Sequence, residues 1–278
     1  RYHRNHWGNV MVLEKFNLKD KVICVTGGGR GLGRGMAKAL SEAGAKIVVA
    51  SRTQKQLDSV VEEIVSAGGD AMSIAFDATQ SEQVDSLIAG CVAEYGRLDV
   101  MFANAGIGGG TQAEFWEYPD WAFDGELSTN LKSTFYTCRA AAKQMIQQGD
   151  GGVLVTTSSG TALRGNKNFP YPTAKGGVIS LTKSMATMLY SHGIRSNCII
   201  PGFVSQAPPE NEQERIFREQ RGKFIPAQRL GEWWELGPLA VFLASEASSY
   251  ITGSSFVIDG GGLAGGLGPI GYRPEYEW

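Results

Sequence analysis

Tyr171 and Lys175 are about one helical turn apart in a stretch with helical spacing, so both side chains should project from one face of a helix. A nearby ammonium group is expected to lower the pKa of the phenol, so that Tyr171 can give or take a proton at ordinary pH. Ser158, at the end of a predicted strand, could hold a substrate oxygen, and Asn130 could hold a water that connects Lys175 to solvent. These four residues are predicted to catalyse proton transfer at a carbonyl or alcohol group.

The first predicted strand is followed by a glycine-rich turn, Thr26-Gly27-Gly28-Gly29-Arg30-Gly31-Leu32-Gly33. Glycines permit a tight turn and let the backbone approach a diphosphate, while the next helix directs its free N–H groups at that anion. Such a turn alone is a weak signal, but it lies at the strand–helix junction that dinucleotide binding requires. The predicted cofactor-binding residues of this turn are Gly27, Gly29, Arg30, Gly31, Leu32 and Gly33.

The end of the second predicted strand indicates which dinucleotide is bound. An NAD site has a carboxylate here for the ribose hydroxyls, whereas this chain has Ser51 followed by Arg52. Arg30 can approach the same region, and guanidinium groups pair well with a phosphate. Either arginine alone would be read as a solvated surface charge, but their joint placement favours NADP(H).

Two further segments lie where a cofactor is expected. Asp77, after the third predicted strand, could accept a hydrogen bond from the adenine amino group, or it could cap the next segment. Asn104, Ala105 and Gly106 follow the fourth strand, at the carboxyl edge of the predicted sheet where cofactors bind.

Strands and helices alternate along the chain. Short apolar runs predict strands over 21–26, 46–50, 71–76, 99–103, 152–157, 196–200 and 255–258. Helical spacing predicts helices over 33–43, 54–67, 81–95, 121–147, 171–190 and 232–245. This alternation predicts an α/β fold, a doubly wound parallel sheet (Rossmann) in a single domain.

No linker divides the chain, so residues 16–262 are predicted to form that single domain. The stretch 203–231 is long and irregular, with two prolines and many charged residues. A loop of this length in a compact domain is usually a functional lid or a mobile segment. We therefore predict that 203–231 forms a lid.

The two ends of the chain are predicted to lie outside this domain. Residues 1–15 form an N-terminal extension that is polar and aromatic, without the apolar core of a signal peptide. Residues 263–278 form a tail that is rich in glycine and then aromatic. The tail is interpreted as a loosely ordered terminus, or alternatively as an arm that packs on a neighbouring subunit through Tyr272, Tyr276 and Trp278.

The composition argues against several classes of partner. A formal net charge of -2 gives no reason to expect a nucleic acid, whose phosphates require a basic face. No apolar stretch reaches about 18 residues, so no membrane-spanning helix is predicted. The 4 cysteines form no C-x-x-C pair and the 3 histidines are too few for a metal centre, so no metal site is predicted. The cysteine spacing suits reduced, buried thiols and a cytoplasmic location.

Taken in order, these motifs resemble the short-chain dehydrogenase/reductase family over about residues 16–262. The family's nucleotide and N-A-G motifs match Gly27, Gly31, Gly33, Asn104, Ala105 and Gly106. Its catalytic tetrad matches Asn130, Ser158, Tyr171 and Lys175. Its P-G and D-G-G motifs match Pro201, Gly202, Asp259, Gly260 and Gly261.

The resemblance implies hydride transfer between NADP(H) and a small carbonyl or alcohol substrate. It also implies that Lys175 holds the nicotinamide ribose and Val204 the carboxamide. The remaining cofactor contacts that it implies are Asp77, Ala78, Asn104, Ala105, Gly106, Tyr171, Pro201 and Gly202. One departure is Gln206, which stands roughly where the family often has a threonine. A homotetramer or homodimer is implied as well, with helices 121–147 and 171–190 in the dimer face.

Within the family, the stretches 128–130 and 181–187 are most similar to gluconate 5-dehydrogenase-like and other sugar- or polyol-type reductases, although 3-oxoacyl-carrier-protein reductases share much of the pattern. A serine hydrolase would need a histidine beside Ser158, and the one candidate, His192, belongs to no recognisable constellation. A non-catalytic NADP(H)-binding sensor or scaffold is a third alternative, since fold does not imply function. Such a protein, however, has no need of all four tetrad residues.

The substrate end contains both polar and aromatic candidates. Arg164 and Asn166 would suit a hydroxylated or carboxylated substrate, or they could simply face water. Phe169 and Phe203, with Trp233, could instead line an apolar pocket for a bulky or cyclic ketone. Arg164, Asn166, Phe169 and Phe203 are the predicted substrate contacts.

Overall fold

The computed structural model describes residues 11–108, 110, 111 and 113–265. Its strands are β1 (Val22–Thr26), β2 (Lys46–Ser51), β3 (Asp70–Ala75), β4 (Val100–Ala103), β5 (Gly152–Thr157), β6 (Ile194–Pro201), β7 (Val204–Ser205), β8 (Gly231–Glu232) and β9 (Ser255–Ile258). Seven of them form one parallel sheet in the order β3-β2-β1-β4-β5-β6-β9, while β7 and β8 form a separate pair. β1 pairs with both β2 and β4, so the order of the strands reverses there and leaves a crevice at their carboxyl ends.

Helices cover both faces of this sheet. The α-helices of the described residues are α1 (Gly31–Glu42), α2 (Gln54–Ser66), α3 (Ser81–Tyr95), α4 (Asp120–Leu127), α5 (Ser133–Gln148), α6 (Pro170–Leu189), α7 (Glu212–Gly222) and α8 (Gly237–Ala244). One apolar core lies under α1, α2 and α8, and a second lies under α3 and α5 on the opposite face. In β1, Ile23 and Val25 belong to the first core and Cys24 to the second, because side chains alternate along a strand. The predicted doubly wound α/β fold is confirmed.

Two of the predicted helices are divided in the structure. The prediction over 121–147 corresponds to α4 and α5 joined by a π-helical turn, Ser128–Lys132. Such a turn inserts one extra residue into a helix, and it often occurs at functional sites. The prediction over 232–245 corresponds to a 3-10 turn, Trp233–Leu236, followed by α8, which has a proline in its first turn.

The segment 203–231 is more regular than predicted, because α7 occupies its middle. Asn211 caps this helix by accepting a hydrogen bond from the backbone N–H of Glu214 at 2.9 Å. Arg215 pairs with both Glu212 and Glu219, at spacings that support a helix. The charged residues that suggested an irregular loop therefore stabilise an exposed helix. Whether the segment acts as a lid stays a prediction.

The predicted terminal extensions are described only in part. Val12–Phe16 form a 3-10 turn, and the ring of Phe16 lies 6.0 Å from that of Phe242 in α8. The aromatic residues predicted as an arm, Tyr272, Tyr276 and Trp278, lie outside the described residues. Among the helices described, none combines the length and apolar character needed to cross a bilayer. All four cysteines are buried and unpaired, as predicted.

Candidate active site

A groove of about 870 Å³ runs along the carboxyl ends of the parallel strands, at the point where the strand order reverses. Most of the predicted site residues line it: Gly27, Gly29, Arg30, Leu32, Gly33, Ser51, Arg52, Asp77, Ala78, Asn104, Ala105, Gly106, Ser158, Tyr171, Lys175, Pro201, Gly202 and Val204. The two predicted residues Gly31 and Asn130 do not line the groove. Gly31 packs against Gln206, since an added Cβ would lie 3.0 Å from its Oε1, and Asn130 is fully buried.

Close packing explains why the turn after β1 needs glycine. Gly27 has a φ of +66° and Gly31 a φ of +52°, in the left-handed region that favours glycine. A Cβ on Gly33 would lie 2.2 Å from the carbonyl oxygen of Gly27 and 2.8 Å from Nδ2 of Asn104. Because α1 begins at Gly31, its free N–H groups and the positive end of its dipole face the groove. The turn therefore fits a dinucleotide diphosphate.

The end of β2 offers polar groups that lack protein partners. The hydroxyl oxygen of Ser51 is buried and has no hydrogen-bond partner among the described residues. Arg30 and Arg52 line the same part of the groove, and neither forms an ion pair with a described residue. An unpartnered hydroxyl beside two guanidinium groups suits the ribose and phosphate oxygens of a nucleotide.

The third and fourth strands complete this half of the groove. Oδ1 of Asp77 accepts hydrogen bonds from the backbone N–H of Thr79 at 2.9 Å and from its hydroxyl at 2.8 Å, so Asp77 caps the following turn. Thr26 holds the N-A-G segment, since its Oγ1 accepts hydrogen bonds from the backbone N–H groups of Asn104 and Ala105 at 3.0 and 3.1 Å. Nδ2 of Asn104 donates to the Thr26 carbonyl oxygen at 3.0 Å, which ties β4 to the glycine turn.

Tyr171 and Lys175 project into the other half of the groove from the first turns of α6. Nζ of Lys175 donates to the carbonyl oxygen of Thr157 at 2.9 Å and lies 5.9 Å from the centre of the Tyr171 ring. Burial raises the pKa of Tyr171, which differs from the predicted lowering by the ammonium group. Burial also lowers the pKa of Lys175 to about 8. Desolvation is therefore the largest influence on the pKa of both groups.

Two serine hydroxyls lie at this end of the groove, those of the predicted Ser158 and of its neighbour Ser159. Oγ of Ser158 is buried and donates to the backbone carbonyl oxygen of Lys175 at 2.7 Å. Ser159 is only partly buried, and its Oγ accepts hydrogen bonds from the backbone N–H and the hydroxyl of Thr161 at 3.3 and 2.9 Å. Its proximity lowers the pKa of Tyr171 against the larger effect of burial. Both serines line the groove, but they are neighbours just beyond the end of β5, so their side chains have different surroundings.

Asn130 lies in the π-helical turn, where its side chain is held from both ends. Oδ1 accepts a hydrogen bond from the backbone N–H of Ile107 at 3.1 Å. Nδ2 donates to Oε2 of Glu126 at 2.9 Å and to the Glu126 carbonyl oxygen at 3.2 Å. Sequence reasoning did not identify Glu126, and the only available signal was its position one helical turn before Asn130.

The predicted substrate contacts are not among the residues that line this groove. Phe169 packs in an aromatic cluster, with its ring centre 5.0 Å from that of Phe115, 4.9 Å from Tyr118 and 6.1 Å from Phe123. Trp233 does not join this cluster, because it lies against α1, with the Arg34 guanidinium 4.8 Å from its ring centre. The idea that Trp233 lines an apolar substrate pocket is therefore wrong.

Phe203 directly follows Gly202 of the groove and is flanked by two arginines. The guanidinium carbon of Arg221 lies 4.0 Å from the centre of its ring, and that of Arg164 lies 5.5 Å away. Neither arginine forms an ion pair with a described residue. Asn166 is exposed and accepts a hydrogen bond from the backbone N–H of Asn168 at 3.0 Å, so it shapes its own loop.

Comparison with known proteins agrees with this architecture. A family model described as "Enoyl-(Acyl carrier protein) reductase" matches residues 27–262. The 2-dehydro-3-deoxy-D-gluconate 5-dehydrogenase of Escherichia coli is 36% identical, covering 91% of this chain and 100% of its own. The L-rhamnose 1-dehydrogenase (NAD(P)(+)) of Azotobacter vinelandii is 35% identical over 88% and 97% of the two chains. These names agree with the sugar-type resemblance of the sequence.

A solved structure gives the same result. The short-chain type dehydrogenase/reductase from Mycobacterium marinum superimposes with a TM-score of 0.83 at 37% identity, covering 91% of this chain and 99% of that one. Its fold matches the seven-stranded parallel sheet and flanking helices found here. With the family match over 27–262, this likeness establishes that the chain belongs to the short-chain dehydrogenase/reductase family of oxidoreductases, which use a nicotinamide cofactor.

Proposed function

We propose that this protein is an NADP(H)-dependent oxidoreductase that interconverts a ketone and a secondary alcohol, with Tyr171 as the acid and base. The observation that carries the proposal is that Ser158, Tyr171 and Lys175 line the groove that begins at the glycine turn, with Nζ of Lys175 5.9 Å from the centre of the Tyr171 ring. A nicotinamide bound in this groove would supply or accept the hydride.

The side chains would divide the remaining work. In the reduction, the hydroxyls of Ser158 and Tyr171 hold the carbonyl oxygen, and Tyr171 gives it a proton. Lys175 keeps a positive charge near the phenol, where it stabilises the phenolate that proton donation leaves behind. Ser158 lines the groove, and its hydroxyl, which donates to the backbone carbonyl oxygen of Lys175 in this structure, would turn to the substrate oxygen. Asn130 supports the same lysine from the π-helical turn.

The cofactor would lie along the groove in an extended form. The glycine turn and α1 hold the diphosphate, and Asp77, Ala78 and the N-A-G segment contact the adenosine half. Tyr171, Lys175, Pro201, Gly202 and Val204 then surround the nicotinamide half. The helix α7 lies in the segment after Val204, which we propose as a lid over the substrate.

NADP(H) preference is expected to depend on Arg52 and Arg30. Replacing Arg52 with alanine should raise the Kd for NADPH about 10- to 100-fold, because one charge-assisted contact with the 2′-phosphate is lost. The Kd for NADH should hardly change, since NADH lacks that phosphate. Fluorescence titration with both cofactors measures the difference. Lys55→Ala, which removes an exposed cation from α2 outside the groove, is the control. An equal rise in the Kd for NADPH and for NADH would show that Arg52 does not bind the 2′-phosphate.

A keto-sugar acid is the substrate that the site favours. Arg164 and Arg221 both lie near the Phe203 ring without a carboxylate partner among the described residues, so they can receive the carboxylate of a substrate whose carbonyl reaches Tyr171. The Escherichia coli relative is named for a sugar acid of this kind. Neutral ketoses would lack this contact.

Arg164→Gln should therefore lower kcat/KM for a keto-sugar acid about 10- to 100-fold, and leave that for a neutral ketose nearly unchanged. The measurement is NADPH consumption with 5-ketogluconate and fructose, and Lys167→Gln, an exposed cation of the same loop, is the control. A loss shared by both substrates would contradict a role in carboxylate recognition.

The same assay separates the main alternatives when β-ketoesters and cyclic diketones are added to the panel. Preference for a β-ketoester would assign the chain to 3-oxoacyl-carrier-protein reduction, the activity for which a Synechocystis relative is named. Preference for a cyclic diketone would favour a bulky-ketone reductase. Tight NADPH binding without turnover of any carbonyl would favour a sensor or scaffold.

A further inference from the structure

Glu126 is a buried carboxyl group that has no role in the proposed reaction. It lies in the last turn of α4, and only 9% of the residue is exposed. Carboxylates are rarely buried without a partner, because removal from water disfavours the charged form. Its partners should therefore indicate what it does.

The contacts of Glu126 lead through Asn130 to Lys175. Oε2 of Glu126 accepts the hydrogen bond from Nδ2 of Asn130 at 2.9 Å, which directs Oδ1 of that amide towards Ile107. A Cβ on Gly106 would lie 2.8 Å from Oδ1 of Asn130 and 3.0 Å from Nζ of Lys175. The amide and the ammonium group therefore converge on one point. The carboxylate, the amide and the lysine form one buried polar cluster behind the groove.

The charges in this cluster influence one another. Burial raises the pKa of Glu126, while the hydrogen bond from Asn130 and the charge of Lys175 act in the opposite direction and favour the carboxylate. The carboxylate in turn raises the pKa of Lys175, against the larger lowering by burial. The other titratable groups that face Lys175 are Tyr171 of α6 and Cys198 of β6, and burial raises the pKa of both. An ionised Cys198 would favour the ammonium form more strongly than Glu126 does, but burial raises the pKa of that thiol and keeps it neutral, so Glu126 is the charged group here that favours the ammonium form.

We propose that Glu126 is a positioning residue whose carboxylate orients the Asn130 amide and keeps Lys175 positively charged. The catalytic consequence rests on the proposed function, since a cationic lysine is what stabilises the Tyr171 phenolate. The effect on Lys175 itself requires no substrate and can be measured in the resting protein.

The test is an NMR titration of Lys175 in protein whose lysines carry carbon-13 at Cε, with the resonance assigned by its loss in Lys175→Met. Glu126→Gln retains an oxygen that accepts from Asn130 but removes the negative charge. We expect the pKa of Lys175 to fall by about one unit in Glu126→Gln, as for the loss of one charge several ångströms away in a partly polar interior. An unchanged titration of Lys175 would overturn the proposal.

Asp124→Asn is the matched control, because it removes an exposed carboxylate from the same helix and should leave the titration of Lys175 in place. The pH profile of kcat gives a second readout. Loss of the Glu126 charge lowers the pKa of both Tyr171 and Lys175, so the profile of Glu126→Gln should move to lower pH while that of Asp124→Asn does not. Lower thermal stability with neither titration moved would show a merely structural carboxyl group. If the wild-type protein reduces no carbonyl, the proposed function fails, yet the NMR titration still decides the role of Glu126.

Discussion

Tyr171→Phe is expected to lower kcat for carbonyl reduction by about 10² to 10⁴, the usual contribution of a positioned general acid. The substitution removes only the hydroxyl, so the ring keeps its contact with Lys175, whose Nζ lies 5.9 Å from the ring centre. The Kd for NADPH should therefore stay within a few-fold of wild type. Stopped-flow reduction and a fluorescence titration measure the two quantities separately.

The control for this experiment is Tyr190→Phe, which removes a half-exposed hydroxyl just after the end of α6. It should change neither kcat nor cofactor binding. The acid form of Tyr171 is the active form in reduction, and burial raises its pKa, so reduction should persist through neutral pH and decline only in alkaline solution. Substantial reduction by Tyr171→Phe would mean that another group donates the proton.

The sequence predicts those parts of the site that depend on local spacing. The glycine turn, the N-A-G segment and the Tyr-x-x-x-Lys pair each lie within a few residues, and each is anchored to one strand end or one helix turn. Since parallel strands all end at the same edge, placing each motif after its strand is enough to predict that the motifs meet. The alternation of strands and helices predicts that edge without knowledge of any long-range contact.

Other features depend on contacts between distant segments, and spacing alone does not reveal them. The surroundings of Ser158 depend on the approach of α6, because the Lys175 carbonyl oxygen accepts a hydrogen bond from the Ser158 hydroxyl. Helical periodicity places Glu126 and Asn130 on one face, but the approach of this face to Lys175 depends on how α6 packs against α4 and the π-helical turn, which spacing does not predict. The pKa of Tyr171 depends on how deeply the fold buries it.

Gly33→Ala is expected to weaken NADPH binding about 10- to 100-fold, the second of the large effects. The added methyl group would lie 2.2 Å from the carbonyl oxygen of Gly27 and 2.8 Å from Nδ2 of Asn104, closer than non-bonded atoms can approach. The start of α1 must then move away from the turn, and the N–H groups that would hold the diphosphate move with it. Isothermal titration calorimetry with NADPH measures the loss.

Gly125→Ala provides the comparison, because Gly125 is an exposed helical glycine. Its added methyl group would have no atom from outside the helix backbone within 4 Å. Both substitutions add a good helix former to a helix, so helix propensity alone would stabilise the two variants similarly. Only Gly33→Ala should lower the melting temperature and the NADPH affinity together, since only there does a distant backbone oxygen occupy the space. If folded Gly33→Ala bound NADPH as tightly as Gly125→Ala, the diphosphate would have to be held somewhere other than the glycine turn.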